Sequence, residues 1–240
     1  MSGGAVIVEP RPAATVVLFR EPPDGGPGLE VYLVRRHARS GFMASAYVFP
    51  GGAAEPGEED LRVTGARELQ EECGVVLAPE DLHYFAHWVT PSIEKRRFTA
   101  RFYAARLPDG QTPAFDNQET VDEVWVTPEA GLARAAELRL PPPQIRTLLD
   151  LAPAAAQGWD AVVAFCAGRA GIAHPILPRL CPLEGGFALL LPWDPDYAAR
   201  GTGEAIEMAP GHPLGTGPSR FLLEEGAWKH VHAPSSPSAG

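Results

Sequence analysis

The sequence predicts a mixed α+β layer fold followed by a C-terminal extension that is first helical and then β-rich. Three observations lead there. Short runs rich in β-branched and aromatic residues recur through the first half, separated by Pro- and Gly-rich loops. Among them stands one strongly acidic segment with helical spacing, closed by a glycine. From Pro128 the pattern changes to proline-led stretches with a helical apolar rhythm. We place a boundary at residue 150, with 1–150 as the main domain and 151–240 as an extension of helix, short β segment and disordered tail.

The elements follow in order. Residues 14–20 ("ATVVLFR") and 29–35 ("LEVYLVR") read as two strands joined by the loop "EPPDGGPG". A third strand runs through "AYVF" into the turn "PGG", and a helix ends near Cys73. Three further strands are expected in "LHYFAHWVTP", "RRFTARFYAARL" and "ETVDEVWVTP", with alternation clearest over 97–103. Helices are then expected in "PEAGLARAAEL", "PPPQIRTLLDLA" and "GWDAVVAFCAGRA". Beyond residue 172, "GGFALLLPW" and "RFLLEEGAWKHV" suggest a strand and a hairpin. Residues 192–218 stay open between a folded β extension and a loose Pro-rich linker.

Composition narrows the function. The chain has 240 residues, 45% of them hydrophobic, enough for a sizeable core. No apolar run approaches membrane-spanning length, and the first residues lack the pattern of a secretory signal. Cys73, Cys166 and Cys181 lie far apart and form no Cys-x-x-Cys pair, which suits a reducing cytoplasm. Thirty acidic against 20 basic residues give a net charge of −10, which disfavours nucleic acid and anionic membrane as partners. A polyanionic substrate must therefore meet locally placed cations.

On a helix, Glu68, Glu71 and Glu72 fall at i, i+3 and i+4 and share one face. Like charges so spaced repel, so the triad needs a compensating positive charge. Ala66, Leu69 and Cys73 occupy the opposing face, and Gly74 can take the left-handed conformation that stops the helix. Hard divalent cations take oxygen ligands, and Mg²⁺ commonly uses a few carboxylates while leaving sites for water and phosphate. Taken alone, the same residues would read as an exposed, solvated helix face.

The stretch "REL-x-EE-x-GV" at 67–75, with Gly52 and a spacing glutamate before it, resembles the Nudix box of MutT-type nucleoside diphosphate hydrolases. The resemblance implies a Nudix α/β/α sandwich with a mixed sheet. It also implies that Glu68, Glu71 and Glu72 bind Mg²⁺ or Mn²⁺ and that Arg67 orients them. The carbonyl of Gly52 is a further candidate ligand. The family has one residue fewer between its glycine and its arginine. Glu58 keeps the spacing from Gly52, Glu59 keeps the spacing to Arg67, and either can be the first box glutamate. Glu68, Glu119 or Glu123 is a candidate to take the proton of the attacking water, although the acids of "QETVDEVW" also read as solvated strand ends.

Further stretches, "SGFMASAYVFPGG", "HWVTP", "RRFTARFY" and "LPPPQ", are similar to the branch of peroxisomal Nudix coenzyme A diphosphatases. That implies cleavage of coenzyme A or an acyl derivative at its diphosphate. Ser45 departs from the separate coenzyme A signature, which places glycine there. Pro91 is shared with ADP-ribose hydrolases of the family, and ADP-ribose, a dinucleotide or a nucleotide sugar is the alternative substrate. A non-catalytic Nudix-fold nucleotide-binding regulator is the alternative of another class, and the whole triad speaks against it. Arg35, Arg36 and Arg39 flank His37, and Arg96 and Arg97 follow Lys95. Both clusters are candidate phosphate contacts, since arginine forks bind phosphate in a bidentate manner. Trp88, Phe98, Phe102 and Trp125 are candidates for stacking a base or for the core. The extension is read as part of a lid or as a homodimer contact, because its apolar segments need a partner.

Overall fold

The computed structural model describes residues 7–37, 44–115 and 120–233. Seven strands form one mixed sheet: β1 (Arg11–Arg20), β2 (Glu30–Arg36), β3 (Tyr47–Val48), β4 (Gly51–Ala53), β5 (His83–Val89), β6 (Phe98–Arg106) and β7 (Thr120–Val126). β1 runs parallel to β6 from the Arg11–Phe98 pair to the Phe19–Arg106 pair, and the other pairings are antiparallel.

β1 and β2 pair only at Phe19–Val31 and Arg20–Glu30 and then separate. β4 takes the vacated edge of β1, and β3 takes that of β2. The chain from Tyr47 to Ala53 thus fills a wedge between two diverging strands. Sequence reading placed "PGG" in a turn, whereas Gly51 and Gly52 are strand residues opposite Thr15 and Ala14. A three-residue strand has no period to read, and glycine lowers strand propensity; tertiary pairing overrides both.

Alternation along the strands sends side chains to two faces. On one, Val16, Leu18, Tyr32, Val34 and Tyr103 pack against Leu69 and Cys73 of α1 (Leu61–Cys73). On the other, Val17, Phe19, Val31, Leu33 and Phe102 meet Ile145, Leu148 and Leu151 of α3 (Pro142–Ala155) and Val162 and Cys166 of α4 (Trp159–Arg169). The result is a three-layered α/β/α sandwich, and each fully buried aliphatic side chain contributes about 1.5–3 kcal/mol. α2 (Pro128–Ala133) is shorter than the expected stretch to 138, because the chain closes into turns after Arg134. α3 runs continuously through residue 150. The three cysteines are buried free thiols.

The C-terminal segment forms an antiparallel sheet in the order β11-β10-β9-β8, from β8 (Arg179–Leu183), β9 (Gly186–Leu190), β10 (Arg220–Glu224) and β11 (Ala227–Val231). Residues 192–218 carry only the short α5 (Tyr197–Arg200) but are held at several points. Arg220 grips the buried Asp194 through Nε–Oδ2 at 2.8 Å and Nη2–Oδ1 at 2.6 Å. Arg146 of α3 donates to the carbonyl of Thr216 at 2.6 Å and lies over Trp193. Leu191, Leu214 and Phe221 join the same apolar cluster as α3 and α4. The partner those segments require is therefore supplied by the chain itself. The tail 234–240 lies outside the described residues.

Candidate active site

The site begins with how α1 is held. Asp60 caps its first turn, accepting from the Arg62 amide at 3.0 Å. Gly74 ends it at φ 69°, donating back to Gln70. Leu69 and Cys73, both fully buried, fix the rotation of the helix against the sheet, while Ala66 is only partly covered. That rotation turns Glu68 and Glu72 toward β4. Glu72 is 8% exposed and accepts from the Gly51 amide at 3.0 Å. The Glu68 carboxylate occupies the space beside Gly52, where a Cβ would come within 2.5 Å of it. Glu71 points outward, its side chain 58% exposed.

Arg67 is the positive charge that the triad requires. Its guanidinium donates to Glu58 Oε1 at 2.9 Å, Glu68 Oε1 at 2.8 Å, Glu71 Oε2 at 2.9 Å and the Ala53 carbonyl at 3.1 Å. Its pKa is raised, first by the bond to Glu58, so it stays charged at any working pH. The same bond draws the Glu58 carboxyl down to about 2, with the Glu55 amide and Thr64 hydroxyl contributing. Between the two candidates for the first box glutamate, Glu58 joins the cluster and Glu59 stays exposed.

Three carboxylates around one guanidinium, with Glu72 beside them on the Gly51 amide, are hard oxygen donors in excess, and the Gly52 backbone comes close to Glu68 because it carries no side chain. Donor chemistry and access therefore fit a Mg²⁺ or Mn²⁺ ion. The side chains are gathered by Arg67, and among the described residues no group of three His, Cys, Asp or Glu is arranged as a chelate.

Glu123 is not a solvated strand end. It pairs with Val34, which also pairs with Val48, so the three form one row across β7, β2 and β3. Val34 and Val48 belong to the cluster beneath α1, so Glu123 lies on the face that carries the triad. The Tyr32 hydroxyl donates to its Oε2, as does the Phe115 amide at 3.1 Å. Tyr32 escaped the sequence reading, although a tyrosine within the apolar run "LEVYLVR" is itself a signal, since its hydroxyl must find a partner once buried. Glu119 and Arg39 lie outside the described residues.

The basic clusters part company. Arg97 is 3% exposed and donates to the carbonyls of Thr90 and Val8 and to Glu204 Oε2. It ties the N-terminal segment, the loop before β6 and the extension together, so its assignment as a phosphate contact is corrected to a structural one. Arg96 is exposed. Arg35 pairs with Asp122 at 3.5 Å, and Tyr47 donates to that same carboxylate at 2.7 Å. Among the described residues the Nε atoms of Arg35 and Arg36 have no hydrogen-bond partner. Of the aromatic candidates, Trp88 and Phe102 are core residues, and Trp125 lies between the ring of Tyr32 and the guanidinium of Arg20. Clefts of about 310 Å³ near His83 and Trp159 and about 280 Å³ near Trp193 and His212 share no lining residue with the carboxylates.

An arginine-centred set of helix carboxylates on an α/β/α sandwich defines the class of site. The NUDIX domain model matches residues 9–148, more than half of the chain, and the chain belongs to that family. Human mitochondrial coenzyme A diphosphatase NUDT8 is 28% identical over 138 residues, covering 55% of this chain and 55% of that protein. The chain thus spans about half the length of the curated relative it matches. The crystal structure of a NUDIX hydrolase from Alicyclobacillus acidocaldarius shares the fold, with a TM-score of 0.54 and 24% identity over 62% of this chain and 93% of that one. A MutT protein from Methanosarcina mazei Go1 aligns over 62% of this chain and 96% of its own, with 19% identity and a TM-score of 0.47.

Proposed function

We propose that the chain is a metal-dependent hydrolase that cleaves the diphosphate of a nucleoside diphosphate linked to another moiety, with coenzyme A or acyl-coenzyme A as substrate. The observation that carries the reading is the intact set of carboxylates on Arg67, with Glu72 anchored separately to the Gly51 amide. A regulator without catalysis would have no use for so many like charges at one place. Held by Glu68, Glu71, Glu72 and the Gly52 carbonyl, Mg²⁺ or Mn²⁺ would supply Lewis-acid neutralisation of the diphosphate oxygens and a more acidic water. The chain's own part is to position. Arg67 aligns Glu58, Glu68 and Glu71, and the α1–β4 contact would set where the diphosphate sits.

The coenzyme A assignment is supported by the similarity to NUDT8 and by Arg36. The alternation of β2 carries Arg36 to the face of Tyr32 and Val34, the face on which α1 lies. A guanidinium there can read an extra phosphate on the substrate. The test is hydrolysis by the purified full chain with Mg²⁺ or Mn²⁺ across coenzyme A, acetyl-coenzyme A, ADP-ribose, diadenosine and sugar nucleotides, products identified by mass. Coenzyme A split into an adenosine bisphosphate and phosphopantetheine is the expected result. Faster cleavage of ADP-ribose would remove the substrate assignment, and no cleavage of any member would remove the reaction.

A further inference from the structure

We infer that Tyr32 is a positioning residue for Glu123, and that Glu123 is the group outside α1 that takes the proton of the attacking water. The inference rests on the reaction proposed above. Its first support is placement: the row Val48–Val34–Glu123 puts the carboxylate on the face of the sheet that α1 covers, although β7 lies 50 residues or so further along the chain.

The second support is how the carboxylate is held. Tyr32 is fully buried, its ring packed on Trp125, so its hydroxyl has a fixed position. That hydroxyl donates to Glu123 Oε2, and the Phe115 amide donates to the same oxygen at 3.1 Å. Two donors on Oε2 orient the group and leave Oε1 without a hydrogen bond among the described residues. Burial first, and then the bond to Glu123, raise the pKa of Tyr32, so the phenol remains a donor. A purely structural role is less consistent with these facts. Phenylalanine would fill the ring's place among Leu69, Cys73 and Val34 with no carboxylate needed, and a surface carboxylate needs no buried tether.

In the step proposed, the water oxygen bonds to phosphorus while the bridging P–O bond breaks. The bridging oxygen leaves with the electron pair on the departing phosphate. One water proton passes to Glu123 Oε1 and from there to solvent, and the other remains on the new phosphate. Tyr32 takes no part in the proton transfer; it holds Oε1 where the water is.

The test compares Tyr32→Phe, Glu123→Gln and the double variant in steady state, with the metal present and thermal melts as a check on folding. Glu123→Gln is expected to lower kcat about a hundredfold or more with KM changed less than about twofold. Tyr32→Phe is expected to lower kcat about tenfold, again with little change in KM, and to have no further effect in the Glu123→Gln background. A residue that merely stabilised the fold would lower the melting temperature and give additive losses. Glu123→Gln at wild-type turnover overturns the inference and leaves the proposed reaction standing. Losses that multiply in the double variant overturn the role of Tyr32. A wild-type chain that cleaves no diphosphate overturns both. Should Tyr32→Phe not fold, Glu123→Asp decides: the shortened carboxylate is expected to retain more turnover than Glu123→Gln, and equal loss overturns the inference.

Discussion

Gly52 and Glu68 share one space: the Cβ that glycine lacks would lie 2.5 Å from both carboxylate oxygens of Glu68. The neighbour at risk is the end of a flexible side chain, so Gly52→Ala can be accommodated by swinging Glu68 out of the cluster. We expect turnover to fall about tenfold or more with a melting temperature lowered by only a few degrees. Gly51→Ala is different, because its Cβ would lie 2.2 Å from the backbone oxygen of Ala14, and it should cost stability first. Wild-type turnover in Gly52→Ala would show that Glu68 does not need its place.

Glu71→Gln and Glu72→Gln should each lower turnover by about a hundredfold or more while the fold survives. A glutamine at 72 can still accept from the Gly51 amide, so packing is spared and charge is removed. Glu59→Gln should change little. Metal titration followed by activity separates these outcomes: a ligand variant needs far more Mg²⁺, and one that behaves as wild type is no ligand.

Coenzyme A should be hydrolysed about ten- to a hundredfold better than its form lacking the ribose phosphate, the worth of one charged hydrogen bond of about 1.5–3 kcal/mol. Arg36→Ala should erase that preference. Arg97→Ala should lower stability and leave the ratio alone, because its donors are spent on Thr90, Val8 and Glu204. An unchanged ratio in Arg36→Ala would send the search for the phosphate contact elsewhere.

His87 gives a pH dependence remote from the carboxylates. Burial, reinforced by Arg101, pushes its pKa from the ordinary 6.5 down to about 4. It lies against the Thr99 hydroxyl at 2.7 Å. Between those two values the unfolded chain holds more protons than the folded one, so stability present above pH 6.5 is lost as the pH falls toward 4. The advantage of the wild type over His87→Gln should shrink by about 1–3 kcal/mol across that interval in denaturant melts. A constant difference would mean that the imidazole titrates alike in both states.

Truncation after Gly171 should yield an insoluble or strongly destabilised chain. Ile176, Leu191, Leu214 and Phe221 belong to the same cluster as Trp88, Leu148 and Val162, so removal uncovers that surface. A truncated chain that melts as the full one does would show the second sheet to be dispensable.

How much of this was legible varies by element. The box helix and the long strands could be read because a 3.6 or 2.0 period persists long enough to register. β3 and β4 are two and three residues long, and their pairing with β2 and β1 depends on those strands diverging. Glu123 reads as one more surface acid until Tyr32, 91 residues earlier, is brought to it. Arg97 shows the converse: "KRR" reads as a phosphate-binding patch, and the fold buries its third member as a tie among three distant segments.

The loop between β4 and α1 is closed on itself. Glu55 and Glu58 exchange hydrogen bonds across it, Ala54 is fastened to Pro12, and Asp60 begins the helix independently. Both banks are moored, so the span between them can lengthen at a cost that grows only slowly with the number of residues. Length changes can therefore be taken up at 56–57 while Glu58, held by Arg67 and Thr64, keeps its place. That short span is where an engineer could splice in a reporter peptide or a ligand-responsive module beside the carboxylate cluster.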